Sequence, residues 1–152
     1  MRAREPDRDG FVERDGVKVA YEVFGAGEPT VLLLPAWSIV HSRIWKMQVP
    51  YLSRHFRVVT FDGRGNGRSD RPPDAEAYAD VEYVKDAVAV MDASGAGSAV
   101  VVGLSRGGSW ALQLASAHPD RVLGTVFIAP TTPPGASLPE RAVIEWFEDE
   151  LD

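Results

Sequence analysis

A serine flanked by glycines stands at the end of an apolar run in the middle of the chain. The run Val100-Val101-Val102 leads directly into Gly103-Leu104-Ser105-Arg106-Gly107, a G-x-S-x-G pattern. On a sharp strand-to-helix turn such a serine projects its hydroxyl, and glycines two residues before and after it relieve crowding. Backbone N–H groups at the start of the following helix favour a developing anion. The pattern predicts a nucleophilic Ser105, with a glycine-rich turn capped by a serine as the alternative.

A serine hydroxyl is a weak nucleophile near neutral pH, so Ser105 needs a hydrogen-bonded base. The chain has three histidines, at positions 41, 55 and 118. His118 lies about 13 residues beyond Ser105, or about 20 Å along a helix, which is too far for proton transfer. His55 ends a predicted surface helix. His41 is the candidate pocket residue, expected to line the site rather than to act as its base.

The hydrophobic pattern predicts which elements position these residues. Asp15-Gly16 separates two alternating runs, which indicates an antiparallel hairpin over residues 11–24. Short apolar runs typical of buried strands follow at residues 30–34, 57–61, 98–102 and 122–129. Amphipathic stretches predict helices at residues 42–55, 75–93 and 109–118. The fold class is therefore α/β: a three-layer sandwich with a mostly parallel sheet opened by an antiparallel hairpin.

Length and composition indicate one globular domain. The 152 residues are 45% hydrophobic and 25% charged, and they divide into a flexible N-terminus (1–10), a core (11–130) and a lid or linker segment (131–152). The absence of cysteine excludes a thiol nucleophile and a thiolate metal site. A net charge of −6 argues against nucleic-acid binding. The charged N-terminus lacks a secretion signal, and no apolar run is long enough to span a membrane, so we expect a cytoplasmic protein.

Three motifs in order give the chain a resemblance to the α/β-hydrolase superfamily, from Phe11 to Pro130. Besides the G-x-S-x-G turn, residues 62–69 (Asp-Gly-Arg-Gly-Asn-Gly-Arg-Ser) are similar to the family's D-x-R-G-x-G-x-S loop. Residues 117–122 (Ala-His-Pro-Asp-Arg-Val) are similar to its entry into the sixth strand. The subgroup resembled is that of the pimeloyl-ester-carboxylesterase-like serine hydrolases.

This resemblance implies a serine hydrolase that acts without cofactor or metal on a carboxylic ester or related acyl substrate, through an acyl-enzyme intermediate. Ser105 corresponds to the nucleophile, Gly103 and Gly107 to the glycines of the turn, and the backbone N–H of Arg106 to one donor of the oxyanion hole. The family's second donor follows the third strand, usually after His-Gly. Here that place holds Pro35-Ala36-Trp37, so the resemblance assigns the second donor to the Trp37 N–H.

The resembled fold places its catalytic acid and histidine after later strands, so we expect the chain to be the N-terminal portion of a longer hydrolase, truncated after about the sixth strand. The last strand, residues 122–129, is then an exposed sheet edge that favours self-association, and the isolated chain is expected to be weakly active or inactive. The alternative is a non-catalytic hydrolase-like domain that binds a ligand or regulates a partner.

The loop at residues 62–69 also admits a nucleotide-binding interpretation, because two of its glycines follow a strand as in a G-x-G-x-x-G motif. Arg68 occupies the position of the third glycine, and Pro72-Pro73 prevents a helix from starting there. The spacing therefore argues against a dinucleotide site. Asp62 is expected to order the turn rather than to perform chemistry.

Overall fold

A computed structural model describes residues 4–130. They contain one six-stranded mixed sheet. Its strands are β1 (Arg8–Arg14), β2 (Val17–Phe24), β3 (Thr30–Leu33), β4 (Arg57–Phe61), β5 (Ala99–Leu104) and β6 (Val122–Ile128). The spatial order is β1-β2-β4-β3-β5-β6. β1 and β2 form the antiparallel hairpin and β2 is antiparallel to β4, whereas β4, β3, β5 and β6 run parallel.

Helical segments cover both faces of the sheet. The α-helices are α1 (Val49–Leu52), α2 (Asp80–Ser94) and α3 (Arg106–Ala117), and 3₁₀ turns span Ser42–Met47, Ala75–Tyr78 and Pro119–Arg121. On one face, α2 and α3 pack on a core that includes Leu32, Val59 and Val101. On the other face, Trp45 and Val49 pack against alternate residues of the same strands. The predicted three-layer α/β sandwich with a hairpin at its start is confirmed.

Most element boundaries follow the hydrophobic pattern, but the N-terminal boundary predicted for the fold is wrong. β1 begins at Arg8, so residues 8–10 belong to the sheet rather than to the flexible segment 1–10. The hairpin extends further because the Asp7 amide donates to the Val23 carbonyl at 2.9 Å and the Asp7 carboxylate accepts from the Gly25 amide at 2.6 Å. The lid or linker segment 131–152 lies outside the described residues.

Two predicted helices begin elsewhere. The helix expected over residues 75–93 is a 3₁₀ turn followed by α2, because Ala79 between them has extended backbone angles (φ −60°, ψ 146°). α3 begins at Arg106, three residues before the predicted start at Ser109, since the chain turns into the helix immediately after β5. None of the described helices combines the length and the apolar character required to cross a bilayer.

The loop at residues 62–69 is held by its own side chains. The two carboxylate oxygens of Asp62 accept hydrogen bonds from the backbone amides of Ser42 (2.9 Å) and Arg68 (3.0 Å). The Ser69 hydroxyl donates to the Asp62 carbonyl at 2.6 Å and accepts from the Ala20 amide at 2.9 Å. Asp62 therefore orders the turn, as predicted.

A buried ion network fastens this loop to α2. The Arg64 guanidinium donates to both carboxylate oxygens of Asp86, at 2.7 and 2.8 Å, and Arg14 from the end of β1 donates to Asp86 at 3.0 Å. The side chains of Asp86 and Arg64 are 0% and 3% exposed. Glu82 forms a further ion pair with Arg14 at the edge of the cluster. Buried charges are tolerated only when they are paired and hydrogen-bonded, and here each has a partner.

Candidate active site

Ser105 occupies a strained turn between β5 and α3. Its backbone angles are φ 54° and ψ −120°, a conformation that costs a non-glycine residue about 1–3 kcal/mol. The Ser105 amide donates to the Ile128 carbonyl on β6 at 2.9 Å, and the Ser105 carbonyl accepts from the Gly108 amide at 3.0 Å. The residue is partly exposed. The turn therefore fixes Ser105 from both sides and leaves it accessible at the carboxyl end of the parallel strands.

The glycines on either side of Ser105 are required by close backbone contacts. A Cβ atom on Gly103 would overlap the backbone of Gly107 across the turn. A Cβ atom on Gly107 would lie 2.5 Å from the Pro35 carbonyl oxygen. The second contact shows that the loop after β3 packs directly against the turn that carries Ser105.

That loop brings Pro35-Ala36-Trp37 beside the start of α3. It leaves the sheet where the Leu34 amide donates to the Val102 carbonyl at 3.0 Å, and Ala36 is buried. An antiparallel bridge joins Trp37 to Val40, in which the Val40 amide donates to the Trp37 carbonyl at 3.2 Å. Because Gly107 touches Pro35, the amides of Trp37 and Arg106 belong to adjoining backbone segments.

The side chain of Arg106 is anchored to α2 by Asp80, a residue outside every predicted motif. One Arg106 guanidinium nitrogen donates to both carboxylate oxygens of Asp80, at 2.7 Å each, and the Trp110 indole donates to the same carboxylate at 2.8 Å. Burial pulls the pKa of the Asp80 carboxyl upward, but the hydrogen bonds from Trp110 and Arg106 outweigh it, so this pKa lies below its usual value. Asp80 lies inside the helix predicted over residues 75–93, and no motif in the sequence marks it.

An aromatic stack continues this anchor beneath the loop. Trp110 lies parallel to Tyr83, with ring centroids 4.1 Å apart and an interplanar angle of 5°. The Tyr83 hydroxyl donates to the Arg64 carbonyl at 3.3 Å, and burial raises the pKa of Tyr83 to about 12. A Cβ atom on Gly63 would meet the Tyr83 ring at 3.0 Å and Pro35 at 3.4 Å. The stack therefore supports both the start of α3 and the loop after β3.

The structure does not bring His41 to Ser105 in one recess. His41 is exposed, and its Nδ1 accepts from the Arg43 amide at 3.2 Å, which caps the 3₁₀ turn Ser42–Met47. It lines a surface recess of about 190 Å³ together with Glu22 and Arg68, and Ser105 is not among the lining residues of that recess. His41 thus serves locally as a helix cap.

The other histidines lie at helix ends, as expected. His118 follows the last residue of α3, at the opposite end of the helix from Ser105, and His55 is exposed after α1. Across residues 4–130, no group of three or more histidine, aspartate or glutamate side chains is arranged to hold a metal ion.

A mixed sheet with a serine held on a strained turn between a parallel strand and a helix defines an α/β protein of the hydrolase class. The family model described as "alpha/beta hydrolase fold" matches residues 29–152. The chain belongs to this family.

Individual relatives are hydrolases with different substrates in their names. The chain is 38% identical over 136 residues to the RutD protein of Caulobacter vibrioides, named as a carbamate hydrolase, covering 86% of this chain and 47% of that protein. It is 37% identical over 113 residues to the 2-hydroxymuconate semialdehyde hydrolase of Pseudomonas sp., covering 70% and 38%. The chain thus spans about half or less of the length of these relatives.

Solved structures agree with the fold and with this partial coverage. The structure titled "Est816 as an N-Acyl homoserine lactone degrading enzyme" has a TM-score of 0.74 and 36% identity, with 93% of this chain and 53% of that chain covered. A hydrolase from Pseudomonas aeruginosa has a TM-score of 0.75 and 31% identity, with 95% and 52% covered. The resemblance predicted from the motifs is confirmed, including its restriction to part of the longer relatives.

Proposed function

We propose that the chain carries the nucleophile and oxyanion hole of an α/β-type serine hydrolase that acts on a carboxylic ester or related acyl substrate. The observation that carries this proposal is the backbone of Ser105, which combines φ 54° and ψ −120° at the β5–α3 turn. A non-glycine residue is kept in such a strained conformation where the surroundings over-determine it, and strain of this kind clusters at active sites.

In the proposed reaction, Ser105 Oγ attacks the acyl carbonyl carbon and passes its proton to a base. The carbonyl oxygen becomes an oxyanion, and the backbone N–H groups of Arg106 and Trp37 stabilise it. Collapse of this intermediate expels the alcohol and leaves an acyl group on Ser105, which water then hydrolyses. Each well-placed donor is worth about 2.7–4 kcal/mol in the transition state. For Trp37 this requires its N–H to point towards Ser105.

We propose that the base and its orienting carboxylate come from outside these 152 residues. The chain contains three histidines, of which two lie at helix ends and His41 caps a local turn. Relatives that span about twice this length have room for the missing pair. On this proposal the 152-residue chain alone reacts slowly.

The exposed apolar side chains beside the proposed oxyanion hole favour an apolar acyl or alcohol group. Trp37 is 53% exposed and Ile39 is 69% exposed, whereas Trp45 and Trp110, the other candidates for apolar contact, are buried in the core. The names of the relatives cover carbamate, semialdehyde and lactone chemistry, so the substrate within this class stays open.

The second candidate is a hydrolase-like domain that binds a ligand without turnover. It is favoured by one observation: within residues 4–130, no histidine is hydrogen-bonded to the Ser105 hydroxyl. Such a domain would keep the turn and the two amides but would not acylate.

Labelling with a fluorophosphonate, followed by peptide mass spectrometry, separates the two candidates. The hydrolase proposal predicts slow labelling that saturates at one group per chain, on Ser105, and that Ser105→Ala abolishes. His41→Ala should label at the wild-type rate. Ser109, on the same helix and 8% exposed, is an internal control and should stay unmodified. No reaction at Ser105 over a day, together with amide chemical-shift changes near the turn on adding an ester, would favour the binding domain.

A further inference from the structure

The carboxylate of Asp80 joins two residues of α3 that lie one helical turn apart. It accepts hydrogen bonds from the Arg106 guanidinium, whose Nη2 lies 2.7 Å from each carboxylate oxygen, and from the Trp110 indole at 2.8 Å. Arg106 and Trp110 are four positions apart, so their side chains lie on the same face of the helix. A single carboxylate at the start of α2 therefore holds the first turn of α3.

The start of α3 is anchored from outside the helix. Ser105 occupies the N-cap position, and within residues 4–130 its side chain makes no capping hydrogen bond. A capping side chain normally ties the first turn of a helix to the residue before it. The backbone holds Ser105 through the Ile128 carbonyl and the Gly108 amide, and neither of these two hydrogen bonds involves the Arg106 amide. The Asp80 carboxylate supplies the side-chain anchor at residue 106.

The ion pair between Asp80 and Arg106 should add little to the stability of the fold. The side chains of Arg106 and Asp80 are 40% and 30% exposed, and ion pairs that water reaches contribute little to the free energy of unfolding. Apolar contacts already pack α2 against α3, and they include the stack of Tyr83 on Trp110. The distinctive feature of the pair is its place, one residue after Ser105, where a shift of the backbone redirects a proposed oxyanion donor.

The geometry of the pair restricts the motion of the Arg106 side chain. An oxyanion hole needs only the backbone N–H of the residue after the nucleophile, which any side chain at that position would leave in place. Here the side chain extends to α2, where Nε at 3.2 Å and Nη2 at 2.7 Å both donate to the Asp80 carboxylate. A planar guanidinium held at two nitrogens has a fixed orientation. The side chain therefore restrains the backbone of residue 106 from which it extends.

We propose that Asp80 is a positioning residue for the oxyanion hole: by holding the Arg106 side chain, it keeps the Arg106 backbone N–H directed at the oxygen that becomes negative. This inference rests on the proposed function, in which that N–H is one of two donors. A misplacement of about 1 Å in an active site can cost about 100-fold in rate, and complete loss of one donor costs about 10²–10³-fold. A donor that is loosened but not lost should slow the reaction of Ser105 by about tenfold.

Asp80→Asn is the sharpest variant, because it weakens one contact and keeps the other. The single oxygen of the new carboxamide can still accept from the Trp110 indole, whereas its NH₂ group meets the Arg106 guanidinium, donor against donor. Trp110 is 3% exposed, so keeping its partner should preserve the packing of α3. Asp92→Asn is the matched control, since it removes the ion pair with Arg121 (2.7 Å) near the opposite end of α2.

Saturation kinetics of fluorophosphonate labelling give the first readout. In Asp80→Asn the maximal rate of labelling at Ser105 should fall about tenfold, because the donor acts on the transition state. The probe concentration at half-maximal rate should not change, and the urea midpoint of unfolding should stay close to that of the wild type. Asp92→Asn should label at the wild-type rate. Labelling of Asp80→Asn at the wild-type rate would overturn the proposal.

A double variant shows whether Asp80 acts through Arg106. Arg106→Met removes the guanidinium but keeps the backbone N–H, and it should itself slow the labelling of Ser105. In that background Asp80→Asn should cause no further loss, since the two substitutions break the same contact. A further loss of about tenfold in the double variant would overturn the proposal, because Asp80 would then act by a route that does not involve Arg106.

Backbone NMR relaxation separates a failure of this inference from a failure of the proposed function. The order parameter of the Arg106 N–H should be about 0.85 in the wild type, as in rigid backbone, and should fall towards about 0.6 in Asp80→Asn. An unchanged order parameter would overturn the inference, whether or not Ser105 reacts. If the wild type left Ser105 unlabelled while Asp80→Asn still loosened this N–H, the proposed function would fail and the anchoring of Arg106 by Asp80 would stand.

Discussion

Replacing Asp86 by alanine should destabilise the protein more than removing any exposed charge, because the buried guanidinium of Arg64 loses the carboxylate to which it donates two hydrogen bonds. Arg64 would then keep the Ala77 carbonyl at 2.7 Å and the more distant Glu82 carboxylate at 3.8 Å. Asp86 is fully buried and accepts hydrogen bonds from Arg64 at 2.7 and 2.8 Å and from Arg14 at 3.0 Å. The Arg64 side chain is 3% exposed, so bulk water does not solvate its guanidinium in the wild-type fold. Removing one partner of a buried pair costs about 3–5 kcal/mol. That is a large fraction of the roughly 5–15 kcal/mol that stabilises a typical domain.

Urea denaturation followed by circular dichroism measures this loss. The free energy of unfolding of Asp86→Ala should fall by about 3–5 kcal/mol, or the variant should be unfolded without urea. Asp9→Ala is the matched control, since Asp9 pairs with Arg68 at 2.6 Å but both side chains are more than 40% exposed. Its loss should lie between about 0 and 1 kcal/mol. A loss below about 1 kcal/mol for Asp86→Ala, or equal losses for both variants, would refute the assigned role of burial.

Two further predictions concern the turn and acid stability. Gly107→Ala places a Cβ atom 2.5 Å from the Pro35 carbonyl oxygen and should lower the free energy of unfolding by about 1–3 kcal/mol. Gly97→Ala is the control, because its Cβ atom would have no other atom within 4 Å. In the same urea titration this variant should be close to neutral. Hydrogen bonds from Lys85 and, to a smaller extent, from Arg14 lower the pKa of Glu82 to about 2. The ionised Glu82 carboxylate should therefore stabilise the fold fully above about pH 4.5, and this contribution should be lost as the pH falls towards 2. Unfolding measured between pH 6 and 2.5 should show this loss, and Glu82→Gln should flatten it; an unchanged pH profile in that variant would contradict the assignment.

Most of the fold could be predicted from patterns within a few consecutive residues. The apolar runs at residues 30–34, 57–61 and 98–102 correspond to the parallel strands β3, β4 and β5. Such strands are recognisable in the sequence because both of their faces are buried and apolar. The position of Ser105 after such a run predicted its turn, because the close contact of Gly103 with Gly107 lies within five residues. The contact of Gly107 with the distant Pro35 has no such local signal.

The start of the first strand was predicted wrongly, because contacts between residues distant in sequence determine it. β1 starts at Arg8 because Asp7 is hydrogen-bonded to residues of β2 and of the loop after it.

The surroundings of the candidate site were less predictable because they depend on residues far apart in sequence. Asp80 meets Arg106 across 26 positions and Arg14 meets Asp86 across 72. Neither pair has a local spacing signal, since each is created only when α2 packs beside the sheet. The same holds for the stack of Tyr83 on Trp110, whose rings come together only when α2 and α3 pack side by side.

A crystal structure of the chain phosphonylated on Ser105 would show whether the two proposed oxyanion donors point towards the nucleophile. The phosphoryl oxygen should lie about 2.7–3.1 Å from the amide nitrogens of both Arg106 and Trp37. A phosphoryl oxygen directed into solvent, or a Trp37 N–H that does not reach it, would rule out the proposed oxyanion hole.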